Sequence, residues 1–146
     1  MRLKHAIIKT NIMHTYKTKI KLHETDAAGL LFFSNQFKIV HDAYETLLEE
    51  MGFGFACLLK QKDYFLPIVH AEADYKVGLF VGDEITITIH VEKIGETSFT
   101  FIYELHKDDG ELVGTAKTVH VTMDKKLRKK IPLPVLMKEK LKSHIL

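Results

Sequence analysis

Tryptophan is absent from the 146 residues, cysteine occurs once as Cys57, and proline appears only three times. A lone cysteine excludes an intramolecular disulfide framework and any zinc site built on several thiolates. With eight glycines and so few prolines, no Pro- or Gly-rich linker divides the chain. An excess of one charge is also lacking. Twenty-one Lys and Arg face 19 Asp and Glu, a formal net charge of +2, which gives little support to a nucleic-acid reading. No segment reaches the ~18 uninterrupted apolar residues of a membrane span. The basic N-terminus has an apolar run too short for a secretion signal. These absences predict a cytoplasmic protein with neither nucleic acid nor membrane as partner. Residues 1–12 read as an N-terminal extension and 13–146 as a single domain.

What is present is an ordered change of hydrophobic period. Residues 15–23 alternate strictly, with Tyr16, Thr18, Ile20 and Leu22 on one face and Lys17, Lys19, Lys21 and His23 on the other; that is a half-buried strand. Phe37, Val40, Tyr44, Leu47, Leu48 and Met51 then recur at three- and four-residue steps, which predicts an amphipathic helix of about five turns. Ser34 or Asn35 would cap its start and Gly52 would stop it. A shorter helix is expected around Phe55–Lys60. From Leu66 the period returns to two, through Ala71, Ala73, Tyr75 and Val77, then Ile85, Ile87, Ile89 and Val91, then Phe99, Phe101, Tyr103 and Leu105. Gly82-Asp83, Gly95-Glu96 and Asp108-Asp109-Gly110 are turn signals. A last strand covers about 111–123, and Pro132 and Pro134 introduce a C-terminal helix with Leu133, Met137 and Leu141 on one stripe.

One strand, one long helix, then four strands joined as successive hairpins make an α+β protein. Its antiparallel five-stranded sheet has a single element large enough to cover one face, the long helix. Sheet edges left over need cover, which predicts a homodimer or homotetramer.

The segment between the first strand and the helix carries the sharpest chemistry. Asp26 sits there among small residues, shortly before a helix N-terminus whose free N–H groups favour negative charge. A carboxylate beside such a helix end can attack a carbonyl or deprotonate water while the amides hold the developing oxyanion. Asp is also a common turn-former, and spacing alone leaves both readings open.

The run Glu24-Thr25-Asp26-Ala27-Ala28-Gly29-Leu30-Leu31-Phe32-Phe33-Ser34-Asn35-Gln36-Phe37 resembles the signature of the 4-hydroxybenzoyl-CoA thioesterase family of hotdog proteins. Leu66 to Tyr75 resembles that family's second strand, and the likeness spans about residues 15–125. Within the family it is most similar to the branch that hydrolyses 1,4-dihydroxy-2-naphthoyl-CoA. The resemblance implies a sheet wrapped around a central helix and hydrolysis of an acyl- or aroyl-CoA thioester without metal or other cofactor. It implies Asp26 as catalytic carboxylate and the backbone N–H of Phe33, where many members have Tyr, as the donor to the thioester carbonyl. Gly29 belongs to the small-residue step beside the substrate.

Other candidates each carry a bland alternative. His70 would contact the acyl group or orient water, or simply be a polar strand residue. His23 and His41 are weaker versions of the same choice. Cys57, in an apolar run, reads as inert core rather than as a nucleophile, and Ser34 as a cap. Lys125 to Lys130 holds five cations in six residues. Lys126 and Arg128 within it would meet the phosphates of coenzyme A, or form a solvated turn. Two rival functions remain: a hotdog dehydratase or hydratase using His41 with Asp42 or Glu45, and a non-catalytic acyl-CoA-binding module.

Overall fold

Alternation of His14, Tyr16 and Thr18 with Thr15, Lys17 and Lys19 produces the first strand, β1 (His14–Lys19), the first set half-buried and the second exposed. The computed structural model describes residues 13–145, so the expected N-terminal extension over residues 1–12 lies outside the described residues. β1 is shorter than its period suggested. Ile20 exchanges backbone bonds with Asp83 and Gly82, and the chain then tightens into a 3₁₀ turn, Leu22–Glu24. Leu22, expected on the buried face, is 75% exposed.

The central helix α1 (Asn35–Glu50) has 16 residues, about 24 Å or four and a half turns, a little under the five expected. Gly52 ends it in the left-handed conformation, φ 89°. The amides of Gly52 and Phe53 bond the carbonyls of Glu49 and Leu48, which satisfies the last turn as a Schellman motif does. The helix buries Ile39, Val40, Ala43, Tyr44, Leu47 and Leu48. A short α2 (Phe55–Gln61) and the two-residue β2 (Tyr64–Phe65) lead into β3 (Ile68–Tyr75). β4 (Glu84–Ile94), β5 (Ser98–Lys107) and β6 (Leu112–Val121) follow as a meander, then β7 (Met123–Asp124) and α3 (Val135–Lys142).

The sheet order is β1-β4-β5-β6-β3, with every pair antiparallel. Only β4, β5 and β6 are successive hairpins, so the expectation of four in a row fails at β3. That strand pairs with β6 at the edge, and residues 76–83 cross to the opposite side of the sheet. The crossing buries Leu79, whose carbonyl takes the Leu31 amide at 2.7 Å. It therefore passes over the start of α1 and ties down the loop that precedes the helix.

Ile85, Ile87, Ile89, Phe101 and Tyr103 cover α1 from the sheet and are essentially inaccessible to solvent, each fully buried side chain contributing ~2 kcal/mol. A polar thread runs through this core. The Tyr103 hydroxyl meets Thr118 Oγ1 at 2.8 Å, and Thr118 meets His120 Nε2 at 2.7 Å. His120 stacks on Phe99 with ring centroids 5.0 Å apart. Burial, and then the nearby His41, lowers the His120 pKa to about 3. This imidazole is neutral. The helix lying across one face of a curled antiparallel sheet is the hotdog arrangement expected from the order of elements. No helix among the described residues is long and apolar enough to cross a membrane.

Candidate active site

The loop from Glu24 to Ser34 is held by its own backbone. The Asp26 amide bonds the Leu30 carbonyl at 2.8 Å, and the Gly29 amide bonds the Asp26 carbonyl at 3.0 Å. Gly29 closes this turn at φ 79°, a left-handed conformation that favours glycine. Asp26 Oδ1 accepts the amides of Ala28 (2.9 Å) and Leu30 (3.2 Å). Its Oδ2 has no hydrogen-bond partner among the described residues. The turn therefore uses one oxygen of the carboxylate and leaves the other open.

Behind the loop, Glu24 is 2% exposed. Its carboxylate accepts the Lys21 amide at 2.9 Å and faces Lys38 Nζ at 3.5 Å. The Glu24 carbonyl accepts both the Phe32 amide (3.0 Å) and Asn35 Nδ2 (2.7 Å). Asn35 thus anchors the loop instead of capping α1. Ser34 occupies the N-cap position in a helical conformation, and its hydroxyl makes no capping bond. Neither residue satisfies the helix start as the sequence suggested. Just ahead of the helix, the amides of Phe33 and Ser34 have no acceptor among the described residues.

Two residues that sequence reasoning passed over fix this helix end. Gln36 is 2% exposed, and its Nε2 donates to the carbonyls of Asp74 (3.2 Å) and Thr115 (3.1 Å), joining α1 to β3 and β6. It fits because position 114 is glycine; a Cβ there would lie 2.9 Å from Gln36 Nε2. Tyr75, at the end of β3, donates its hydroxyl to the Phe33 carbonyl at 2.8 Å. Gln36 carried a signal: a polar residue one turn before Val40 on the apolar stripe needs buried partners. Tyr75 carried none, because its partner is a main-chain carbonyl 42 residues away.

Asp26, Phe33, Gln36, Tyr75, Gly78 and Leu79 line one cleft of about 350 Å³. The two residues expected to do the chemistry, Asp26 and Phe33, are therefore brought together. Gly29 shapes the turn beneath them. His70 is not in this cleft; it is half exposed, with Nε2 3.7 Å from Glu72, which also faces Lys117. Lys126 and Arg128 lie in the turn after β7, beyond the far end of β6. The Arg128 guanidinium sits 5.7 Å from the Phe65 ring centre and its Nε donates to the Lys125 carbonyl. His23 is exposed in the 3₁₀ turn. His41 Nδ1 meets Glu45 at 3.2 Å, the pair a dehydratase reading would need, but outside this cleft. Cys57 corrects its expectation as core. It is exposed, and its thiol contacts Gln61 at 3.4 Å, while Leu58 is the residue α2 buries.

Comparison with known proteins agrees with this geometry. Residues 20–141 match the Thioesterase-like superfamily. A Rippkaea orientalis protein named 1,4-dihydroxy-2-naphthoyl-CoA hydrolase is 35% identical over 133 residues, covering 90% of this chain and 96% of that one. The crystal structure of a 1,4-dihydroxy-2-naphthoyl-CoA thioesterase from Synechocystis superposes with a TM-score of 0.84 at 27% identity, covering 89% and 96% of the two chains. A gentisyl-coenzyme A thioesterase structure gives 0.78 at 25% identity, covering 85% of this chain and 98% of that one. With the matched region spanning the loop, the helix and the whole meander, the chain belongs to the thioesterase-like superfamily.

Proposed function

We propose that the protein hydrolyses an aroyl-CoA thioester, with 1,4-dihydroxy-2-naphthoyl-CoA as the leading substrate, to the free acid and coenzyme A. The observation that carries this is the meeting, in one cleft, of a carboxylate oxygen without a partner and an amide without an acceptor. The thioester oxygen accepts the Phe33 N–H. Asp26 Oδ2 either adds to the carbonyl carbon or takes a proton from the water that does. The oxyanion of the tetrahedral adduct is held by the amide, the C–S bond breaks, and the coenzyme A thiolate leaves and is protonated; where Asp26 itself added, water then opens the acyl–aspartyl anhydride, releasing the acid and restoring the carboxylate. The relatives support the acyl group: those named above act on dihydroxyaroyl thioesters.

The active unit in this reading is a homo-oligomer. β3 is an edge strand with almost every residue exposed, including Val69 at 55% and Tyr75 at 50%. An edge of this kind invites another strand. Antiparallel pairing of two β3 edges about a twofold axis would bring the Ile68 half of one strand beside the Tyr75 half of the other. The partner's basic turn, with Lys126 and Arg128, would then approach the cleft from outside, where coenzyme A phosphates would lie.

The test is a panel of 1,4-dihydroxy-2-naphthoyl-CoA, benzoyl-CoA, acetyl-CoA and palmitoyl-CoA, read by thiol release, with solution mass measured alongside. Aroyl esters are expected to turn over fastest, in a particle at least twice the 16.8 kDa chain mass. Intact thioesters across the whole panel would refute hydrolysis. A monomer that turns over at full rate would refute the shared site.

A further inference from the structure

We infer that Tyr75 is a positioning residue for a second oxyanion donor, the Ser34 amide; this rests on the thioesterase reading above. The peptide unit linking Phe33 to Ser34 presents a carbonyl on one side and the Ser34 N–H on the other. Its carbonyl accepts the Tyr75 hydroxyl at 2.8 Å and, more weakly, the Gln36 amide at 3.4 Å. The preceding unit repeats the pattern: the Phe32 carbonyl accepts the Asn35 amide at 2.8 Å, while the Phe33 N–H has no acceptor among the described residues. Two consecutive peptides are thus bonded at the carbonyl end and open at the amide end. Ser34 is helical, φ −69° and ψ −22°, and N–H groups in a helix's first turn point out of its N-terminal end. A hydrogen bond to a peptide carbonyl polarises the same peptide's N–H, strengthening it by ~10–30%.

The Asn35 bond to the Phe32 carbonyl is what any helical turn supplies. The Tyr75 bond is not: it needs a phenol from an edge strand 42 residues away, in a side chain that is half exposed and lines the same cleft as Asp26. Packing alone does not call for that hydroxyl. An independent sign that the cleft takes a polar ligand comes from Gln36, 98% buried and lining it. Its Nε2 is occupied by two carbonyls, which fixes the amide's orientation. Its Oε1 has no partner among the described residues.

Tyr75 therefore acts through the backbone. Its hydroxyl holds the Phe33–Ser34 peptide in register with the Phe32–Phe33 peptide, so that two amides rather than one meet the developing oxyanion. Removing an oxyanion donor outright costs about 10²–10³ in turnover. Loosening one costs less, on the order of tenfold.

The experiment compares wild type with Tyr75→Phe, using benzoyl-CoA labelled with ¹³C at the carbonyl. The expected result is a kcat lower by about tenfold, with KM within about twofold and melting temperature unchanged. In an Asp26→Asn background, which keeps the thioester intact, infrared difference spectra read the bound carbonyl directly. Adding Tyr75→Phe should move that band back toward its position in free benzoyl-CoA. Unchanged kcat overturns the assignment. So does a lower kcat with an unmoved carbonyl band, the outcome of a merely structural hydroxyl. Wild-type protein that fails to hydrolyse benzoyl-CoA and all other thioesters of the panel would instead overturn the thioesterase reading, and this one with it.

Discussion

The two ends of the β3–β6 pair both carry polar atoms that lack protein partners, yet the atoms mean different things. At the Tyr75–Gly114 end, Asp26, Phe33 and Gln36, with the unpartnered Asp26 Oδ2, Phe33 amide and Gln36 Oε1, line a cleft open to solvent. At the Ile68–His120 end, the Tyr44 hydroxyl and His120 Nδ1 are sealed in the core without partners. Burial raises the Tyr44 pKa above its ordinary value and lowers that of His120. An unsatisfied group in a cleft is satisfied by water or substrate at little cost. The same group in the core is a permanent charge against stability. The first end can take a ligand, and the proposed chemistry belongs there; the second is sealed from one.

The largest effect expected from perturbing this contrast is at Gln36. Gln36→Leu strands the carbonyls of Asp74 and Thr115, both in the β3–β6 seam. The loss of two buried hydrogen bonds should cost about 3 kcal/mol in urea unfolding, with turnover falling as the helix start loosens. A cost below about 1 kcal/mol would mean that Gln36 does not fasten the helix to the sheet.

The next is at His120. Its folded-state pKa, about 3, lies below the ordinary 6.5. Between those values the unfolded chain binds a proton that the folded chain refuses, so stability falls as pH drops through that window. From pH 7 to pH 5 the wild type should lose about 2 kcal/mol more than His120→Leu. Parallel pH profiles for the two proteins would show that the imidazole is accessible to protons. Turnover at pH 7 should not follow this titration.

The smallest is at Gly29. An added methyl meets nothing within 4 Å, but the backbone stands at φ 79°. Gly29→Ala should cost about 1 kcal/mol of strain and no more. A larger loss would put Gly29 against substrate or partner rather than only in a turn.

The sequence made the helix and the meander legible because their apolar periods are long and regular. Gly52 and Gly110, both at positive φ, mark their turns as read. It did not reveal that β3 leaves the meander for the far edge. Gly82-Asp83 reads as a turn between hairpin strands, while the pairing of β3 with β6 depends on contacts made across the whole sheet. The Asp26 loop stood out through its resemblance to a family motif. Its supports did not, since Tyr75, Glu24 and Asn35 act on main-chain carbonyls or amides, which one sequence cannot pair. Cys57 was misread for a related reason: an apolar run in a short helix does not say which side faces water.

The proposed hydrolysis depends on Asp26 Oδ2 standing ready for a thioester carbon. Asp26→Asn isolates it, because the amide oxygen can still accept the Ala28 and Leu30 amides that shape the loop. Single-turnover hydrolysis of 1,4-dihydroxy-2-naphthoyl-CoA by this variant should fall by about 10³ or more, while its melting curve overlays that of the wild type. Hydrolysis within a few-fold of wild type, by a variant folded just as well, would contradict it.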